Sequence, residues 1–278
     1  MSPVLLMGFA VVAGALIGLS LGALGGGGSI LAVPVLLALG ETPAQATTGS
    51  LVVVGITSLA GAVTARRAGN VLLARGAAFG AVAIAGAVVG ARASAAVQES
   101  VLLAAFAGIL LVVAGLMTVR QLRSRRGNTA GAHGERPRLD DPIITFSPTF
   151  MCQCPRALKV LVTATAVGLL TGFLGVGGGF LVVPALTLAL ALPMGYAAGT
   201  SLVVITITSA AALATRAGSG IAPDWWLVAA LTVTAVAGSI AGARLAARTD
   251  TRRLSAAFTA LVLAVAAYTA VTALPALA

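Results

Sequence analysis

Long apolar stretches, separated by short polar or glycine-rich segments, run through most of the chain. Several of them are about as long as the roughly 20 residues that an α-helix needs to cross a bilayer. None shows the alternation of apolar and polar residues over about 10 positions that is typical of a transmembrane β-strand. The pattern therefore predicts an all-α membrane protein that crosses the bilayer several times.

The apolar stretches form an internal repeat. The segment GALGGGGSILAVP at 22–34 matches GFLGVGGGFLVVP at 172–184 at 8 of 13 positions. Further along, SLVVVGITS at 50–58 matches SLVVITITS at 201–209, and GAVVGAR at 86–92 is similar to GSIAGAR at 238–244. The nearly constant offset, between 150 and 152 residues, indicates two structural repeats, as many transporters contain.

Each repeat predicts the same order of elements, an apolar helix broken by glycines and then three ordinary helices. In the first repeat the predicted segments are 4–24 with 28–40, then 45–65, 72–94 and 100–119. In the second repeat they are 159–174 with 178–192, then 197–215, 225–245 and 254–275. The polar, Arg-rich segment between the repeats contains several Gly and Pro residues, which is typical of an exposed linker. We therefore expect residues 1–120 to form the first membrane repeat, 121–157 the linker and 158–278 the second repeat.

The short arm after each glycine break decides the predicted topology. As helices, 28–40 and 178–192 measure about 20 and 22 Å, less than the roughly 30 Å hydrocarbon core. Each broken element is either one interrupted crossing or a hairpin that returns to its own side. Cytoplasmic loops are enriched in Arg and Lys. If both broken elements are hairpins, 15 of the 17 basic residues lie on the cytoplasmic side of the membrane. If both are single crossings, only 12 do. The count favours hairpins, and therefore inverted repeats with a cytoplasmic linker and extracytoplasmic termini.

Composition narrows the class of function. The chain of 278 residues is 59% hydrophobic and 9% charged, whereas soluble proteins are about 25% charged. The net charge is +10, but 8 of the 17 basic residues lie between Arg120 and Lys159 and the rest lie at the ends of apolar segments. This placement indicates membrane orientation rather than nucleic-acid binding. All seven acidic residues fall in predicted loops or at helix ends, so no membrane carboxylate is expected to relay protons. We expect no enzyme activity, no cofactor and no metal site.

Candidate binding residues lie at the two glycine breaks. Inverted hairpins would bring the breaks together near the membrane midplane, where the short helices begin and backbone N–H groups leave their helical bonds. Converging helix N-termini favour a small anion. The alternative is that these glycines only permit close helix packing, as we expect of Gly14, Gly18 and Gly22. The candidate residues are Gly25, Gly27, Gly28 and Ser29 in the first break and Gly175, Gly177, Gly178 and Gly179 in the second.

Hydroxyl groups on the helix after each break could add donors to an anion site. Ser50, Thr57 and Ser58 share one face of this helix, and the second repeat has Ser201, Thr208 and Ser209 at the equivalent positions. These hydroxyls either bind anion oxygens or donate to carbonyls of their own helix. Ser50 and Ser201 lie nearest the helix starts, and we expect them to bind substrate.

Cys152 and Cys154 form a Cys-x-Cys pair in the linker, where a cytoplasmic location keeps thiols reduced. Adjacent thiolates suit soft metal ions, but two ligands are fewer than a metal site normally has. A structural or incidental pair is the stronger interpretation, and a thiol-based role in redox chemistry or metal handling is the alternative.

The duplicated glycine breaks, each followed by a Ser/Thr-containing apolar helix and a Gly-Ala-Arg helix end, resemble the sulfite exporter TauE/SafE family. The resemblance covers residues 4–120 and 158–275. It implies a multi-pass permease of the bacterial inner membrane for a small sulfur-containing anion, such as sulfite or an organosulfonate. Arg92 and Arg244, at helix ends, could attract the anion. A passive anion channel stays an alternative, and a homodimer stays open because small-residue faces pack equally well within or between subunits.

Overall fold

A computed structural model of the chain consists of α-helices joined by short loops. It describes residues 3–95, 154–174, 179–189, 192–217 and 220–246, together with scattered residues at 97–119 and 248–267. No β-strand occurs among these residues, so the predicted all-α fold is confirmed.

The helices follow the order that the repeats predict. Those of the first repeat are α1 (Pro3–Leu24), α2 (Ser29–Ala38), α3 (Pro43–Arg67) and α4 (Leu73–Ala95). Those of the second repeat are α5 (Cys154–Leu174), α6 (Gly179–Ala189), α7 (Met194–Arg216) and α8 (Trp225–Ala246). The helices predicted at 100–119 and 254–275 and the linker with Cys152 lie largely outside the described residues.

Five helices in the described part are long and apolar enough to cross a membrane. They contain the segments Met7–Leu24, Pro43–Arg67, Leu73–Ser94, Met194–Arg216 and Trp225–Ala246. Their outer faces carry large apolar side chains, among them Val12 at 60% exposed and Val233 at 70%. Faces of this kind are stable against lipid chains rather than water. The chain is therefore a multi-pass membrane protein.

Several helices begin earlier than predicted, among them α7, which begins at Met194 rather than at 197. Thr42 caps α3 because its hydroxyl accepts from the backbone N–H of Gln45, whose side chain accepts from the N–H of Thr42 in return. Pro43 is the first residue of α3, a position where proline fits a helix, so α3 begins at 43 rather than 45. α5 begins at Cys154 rather than at Lys159, and its second residue is also a proline.

Glycines bring the first helix of each repeat onto the last described helix of the other repeat. On α1, a Cβ added at Gly18 would collide with backbone atoms of Ala235 on α8, and one added at Gly22 with those of Ser239. The equivalent residues of α5, Gly168 and Gly172, face the backbone of α4 in the same way. Close backbone approach through small residues is how membrane helices commonly associate. The expectation that Gly14, Gly18 and Gly22 serve helix crossing is confirmed.

The two equivalent central helices, α3 and α7, cross in opposite directions. A Cβ on Gly55 would lie 3.3 Å from Ser209 Cβ, and a Cβ on Gly61 would lie 3.1 Å from Leu202 Cδ1. As the residue number increases along α3, the residue number of the contact on α7 decreases, so the two helices are antiparallel. In an inverted repeat, equivalent helices of the two repeats cross the membrane in opposite directions. The antiparallel contact of α3 and α7 agrees with this, and the orientation of the repeats in the membrane stays a prediction.

The contacts of α2 are those of a hairpin. Gly28, just before α2, packs on Ile17 of α1, whereas Leu36, near the end of α2, packs on Gly49 of α3. Gly49 also contacts Val228 in the first turn of α8. Because α8 runs parallel to α1, the start of α8 lies level with the first half of α1. α2 therefore returns toward the end at which α1 begins.

The glycine packing predicts opposite effects for two alanine substitutions in α1. Gly18→Ala should destabilise the protein by about 1–3 kcal/mol, because the new methyl group collides with the α8 backbone. Gly8→Ala should leave stability unchanged or raise it by up to about 1 kcal/mol, because no atom of the described residues lies within 4 Å of the new Cβ and alanine favours helix. Denaturation of the purified protein in detergent measures both. Equal stability of the two variants would contradict the close α1–α8 contact.

Candidate substrate site at the helix breaks

The two glycine breaks lie against each other in the structure. A Cβ on Gly26 would collide with the carbonyl group of Gly179, and a Cβ on Gly179 would lie 2.9 Å from Ser29 Oγ. Ser29 and Gly179 are the first residues of α2 and α6. Of the second break, only Gly179 is described, and Gly175, Gly177 and Gly178 lie outside the described residues. The backbone of the first break, at Gly26, is therefore in contact with the backbone at the end of the second break, at Gly179.

This contact lies at the centre of the helix bundle. A Cβ on Gly179 would lie 2.7 Å from Cδ1 of Ile205, which is the middle residue of α7 (Met194–Arg216). α7 is long enough to cross a membrane, so its middle residue lies about as far from one end of the span as from the other. Gly25 to Ser29 are all buried at this depth.

The electrostatic character of the break comes from backbone dipoles. The N-termini of α2 and α6 meet here, and each carries a partial positive charge of roughly half a unit. Gly25 has a φ of 75°, a left-handed conformation that glycine adopts easily, and it turns the chain out of α1. The N–H groups of Gly26, Gly27 and Gly28 form no hydrogen bond with another described residue. Backbone N–H groups at a helix start are suited to an anion.

The hydroxyls of Ser29, Ser50 and Ser201 donate to backbone carbonyls in this conformation. Ser29 Oγ donates to the carbonyl of Gly26 at 2.8 Å, and Ser50 Oγ to that of Thr47 at 2.9 Å. Ser201 Oγ lies 2.6 Å from the carbonyl oxygen of Gly25, which belongs to the other repeat, and 2.7 Å from that of Ala198. The local bonding that was the alternative to anion binding is therefore present at Ser50 and Ser201, and Ser201 also connects α7 to the first break.

The other hydroxyls on the predicted face of α3 and α7 differ in whether they form hydrogen bonds. Thr208 Oγ1 donates to the carbonyl of Val204 at 3.0 Å. Thr57, Ser58 and Ser209 are equally buried, but none of their hydroxyls has a hydrogen-bond partner in the described structure. Repeat-equivalent residues, such as Thr57 and Thr208, thus have different hydrogen bonding.

Arg216 at the end of α7 was missed as a site residue from the sequence. Its Nη1 donates to Thr47 Oγ1 at 2.7 Å, and its Nη2 donates to Ser94 Oγ at 3.0 Å and to the carbonyl of Gly172 at 3.2 Å. One half-buried guanidinium therefore connects α3, α4, α5 and α7. Arg92 and Arg244, the arginines expected to attract an anion, are exposed. All three end apolar helices, so their sequence surroundings do not distinguish them.

Comparison with known proteins agrees with this architecture. The family model for the sulfite exporter TauE/SafE matches residues 10–269. Two proteins of Xylella fastidiosa, one from each of two strains, are named "Probable membrane transporter protein" and are 31% and 30% identical to this chain over 259 residues. In both cases the match covers 92% of this chain and 91% of the relative. No solved structure matches the chain significantly.

The bond between Ser201 and Gly25 predicts a loss of stability when the hydroxyl is removed. Ser201→Ala should destabilise the protein by about 1 kcal/mol, because the buried carbonyl of Gly25 loses its donor. Ser20→Ala is the matched control, because the Ser20 hydroxyl donates only within α1 and lies near the surface. Melting temperatures in detergent give the comparison. An unchanged melting temperature for Ser201→Ala would show that the bond does not stabilise the fold.

Proposed function

Because the chain belongs to the sulfite exporter TauE/SafE family, we propose that it is a secondary transporter that moves a small sulfur-containing anion across the bacterial cytoplasmic membrane. Sulfite and short organosulfonates are the proposed substrates. The observation that carries this proposal is the meeting of the α2 and α6 N-termini at Ser29 and Gly179 in the centre of the bundle. Two helix dipoles directed at one buried place stabilise negative charge.

The proposed anion site combines backbone N–H groups of the breaks with nearby hydroxyls. The N–H groups of Gly26, Gly27 and Gly28 form no hydrogen bond with another described residue, and this supports the assignment for the first break. In this proposal the matching glycines of the second break also contribute N–H groups. The two breaks do not contribute identically, because Gly179 stands in the second where Ser29 supplies a hydroxyl in the first. The proposed residues are Gly25, Gly27, Gly28, Ser29, Ser50, Gly175, Gly177, Gly178, Gly179 and Ser201.

Transport requires the bundle to open, because the first break is closed off in this conformation. Gly25 to Ser29 are all buried, and Ser201 bonds to Gly25 across the two repeats. In the proposed mechanism, α7 and the first break separate when the site faces one side of the membrane and come together again when it faces the other. Such movement of one repeat against the other is the usual form of alternating access.

The proposed topology follows from the inverted repeats. Residues 1–120 and 158–278 form the two membrane repeats, and residues 121–157 form a cytoplasmic linker. The antiparallel crossing of α3 and α7 supports this arrangement. Trp225 and Trp226, exposed at the start of α8, suit the outer membrane interface where aromatic residues concentrate. The face of α1 that carries Gly14, Gly18 and Gly22 already packs against α8. A homodimer would therefore have to use another surface.

Flux into proteoliposomes tests the proposed function. Wild-type protein should take up labelled sulfite, thiosulfate or methanesulfonate with saturation, and a Gly27→Val, Gly177→Val double variant should reduce that flux at least about tenfold through lost bonds to a charged ligand. Gly195→Val is the matched control, because a Cβ there meets no atom of the part of the chain that the structure describes within 4 Å. Membrane abundance of the double variant should stay normal; a drop in abundance would mean that the glycines serve packing alone. No flux of any of these anions, under both proton and sodium gradients, would contradict the proposed function.

The two native cysteines test the proposed topology without any engineered label. Cys152 and Cys154 are the only cysteines of the chain, and they lie at the end of the proposed cytoplasmic linker, where α5 begins at Cys154. A membrane-impermeant maleimide should therefore label inside-out vesicles but not intact spheroplasts. A Cys152→Ser, Cys154→Ser variant controls for background and should keep full anion flux. Labelling of intact spheroplasts would reverse the proposed orientation, and loss of flux would favour the thiol-based alternative.

A further inference from the structure

Four buried hydroxyls near the centre of the bundle have no hydrogen-bond partner in the described structure. They belong to Thr57 and Ser58 on α3, Ser209 on α7 and Ser239 on α8, which together we name the hydroxyl cluster. Each of these residues is at most 1% exposed. Buried hydroxyls in native proteins are normally bonded to protein or to ordered water. Four exceptions in one region therefore suggest a place that a ligand fills.

The unbonded state is unusual because a simple alternative is available to serine and threonine in a helix. Their hydroxyls commonly donate to a carbonyl one turn earlier. Thr208, Thr232 and Thr171 all do so here, at 3.0, 2.6 and 2.7 Å from their acceptors. The cluster hydroxyls do not form this local bond, so their O–H groups remain available to donate to another partner.

Helix contacts place the four hydroxyls along one short length of α3. A Cβ on Gly55 would lie 3.3 Å from Ser209 Cβ, and a Cβ on Gly61 would lie 2.8 Å from Ser239 Oγ. Thr57 and Ser58 lie between these two glycines, one turn before Gly61. From Gly55 to Gly61 the helix rises about 9 Å, so the cluster occupies a short central length of α3.

The hydroxyl cluster borders the helix breaks. Ile205, which contacts Gly179, lies one turn before Ser209 on the same face of α7. On the other side, Gly22 of α1 packs against the backbone of Ser239, three residues before the first break begins at Gly25. The cluster and the N-termini of α2 and α6 are therefore parts of one polar region.

The charges of the surrounding helices favour an anion over a cation. The helices that bear the cluster and the adjacent α1 contain no Asp or Glu. A buried cation would lack a compensating carboxylate there, whereas an oxyanion would find hydroxyl donors beside two positive helix ends. Hydroxyl groups donate strongly to charged oxygens in places that exclude water.

We propose that Thr57, Ser58, Ser209 and Ser239 are further ligands of the transported anion and donate their hydroxyl protons to its oxygens. This inference rests on the proposed function and extends its site from the breaks onto α3, α7 and α8. A sulfur oxyanion offers several acceptor oxygens, so one anion can take bonds from hydroxyls on three helices. Ser50 and Ser201 must break a hydrogen bond to a backbone carbonyl before they can donate to the anion. The cluster hydroxyls have no such bond to break.

The cluster is asymmetric between the repeats. Ser58 and Ser209 are repeat equivalents, but the equivalent of Thr57 is Thr208, whose hydroxyl is already bonded. The equivalent of Ser239 is Ala87, which has no hydroxyl. Three of the four cluster hydroxyls therefore lie on α3 and α8, one lies on α7, and none lies on α4. This asymmetry supplies a matched control, because Thr57 and Thr208 are equally buried and share their residue type.

Anion binding to the purified full-length protein in detergent tests the inference. Sodium sulfite is titrated while the melting temperature is followed, with sodium chloride and choline chloride as ionic controls. Thr57→Val, Ser58→Ala, Ser209→Ala and Ser239→Ala should each raise the apparent Kd for sulfite about tenfold or more, because each removes a bond to a charged ligand. Thr208→Val should stay within about twofold of wild type, because its hydroxyl is engaged by its own helix.

The ligand-free melting temperature separates a binding role from a structural one. Removing an unbonded buried hydroxyl should leave the ligand-free melting temperature unchanged or raised, while the shift produced by sulfite shrinks. Thr57→Ser, which keeps the hydroxyl, should restore sulfite binding and covers the case in which Thr57→Val does not fold.

Three results would overturn the inference in distinguishable ways. Equal loss of affinity in Thr208→Val and in the cluster variants, or no loss in any of them, would show that the cluster hydroxyls do not contact the anion. Stabilisation by sodium chloride but not by choline chloride, abolished in the cluster variants, would make the cluster a cation site. Absence of sulfite binding and of all sulfur-anion flux in the wild type would remove the proposed function itself.

Discussion

Close contact between helix backbones is the constraint on which the rest of this structure depends. In lipid, helices gain little from hiding apolar side chains from one another, so they associate through van der Waals contact and polar bonds. Gly18 and Gly22 bring α1 onto α8, and Gly168 and Gly172 bring α5 onto α4. These swapped pairs hold each repeat against the other. α1 leads directly into the first break and α5 into the second, and the breaks themselves meet where Gly26 contacts Gly179.

The result is a polar centre made largely of dipoles and hydroxyls. The N-termini of α2 and α6 supply partial positive charge, and Ser, Thr and backbone N–H groups supply donors. A neutral site of this kind avoids the large cost of burying a fixed charge when no ligand is present. Among the described residues, Arg216 brings a full charge into contact with the spanning helices, but it does so at the end of α7 rather than at its centre.

The same close packing explains why the described conformation is closed. Gly26 touches Gly179, Ser201 bonds to Gly25, and no residue of the first break reaches the surface. Each of these contacts joins the first repeat to the second. A movement that separates the repeats therefore breaks a small number of contacts at one place, which is suited to a bundle that alternates between two arrangements.

Much of the fold was readable from the sequence, because hydrophobic length, glycine clusters and the repeat offset are local or nearly local properties of the chain. They predicted the order of helices, the breaks and the packing role of Gly18 and Gly22. The starts of α3 and α5 were misjudged because Pro43 and Pro155 were not used as helix-start signals. Which helix each glycine face meets was decided only by the tertiary structure, because α1 packs on a helix of the other repeat. The same holds for the hydroxyls: Thr57 and Thr208 occupy equivalent positions, yet only Thr208 is bonded. A hydrogen bond depends on side-chain rotamer and on neighbours from distant segments, and neither is contained in the local pattern.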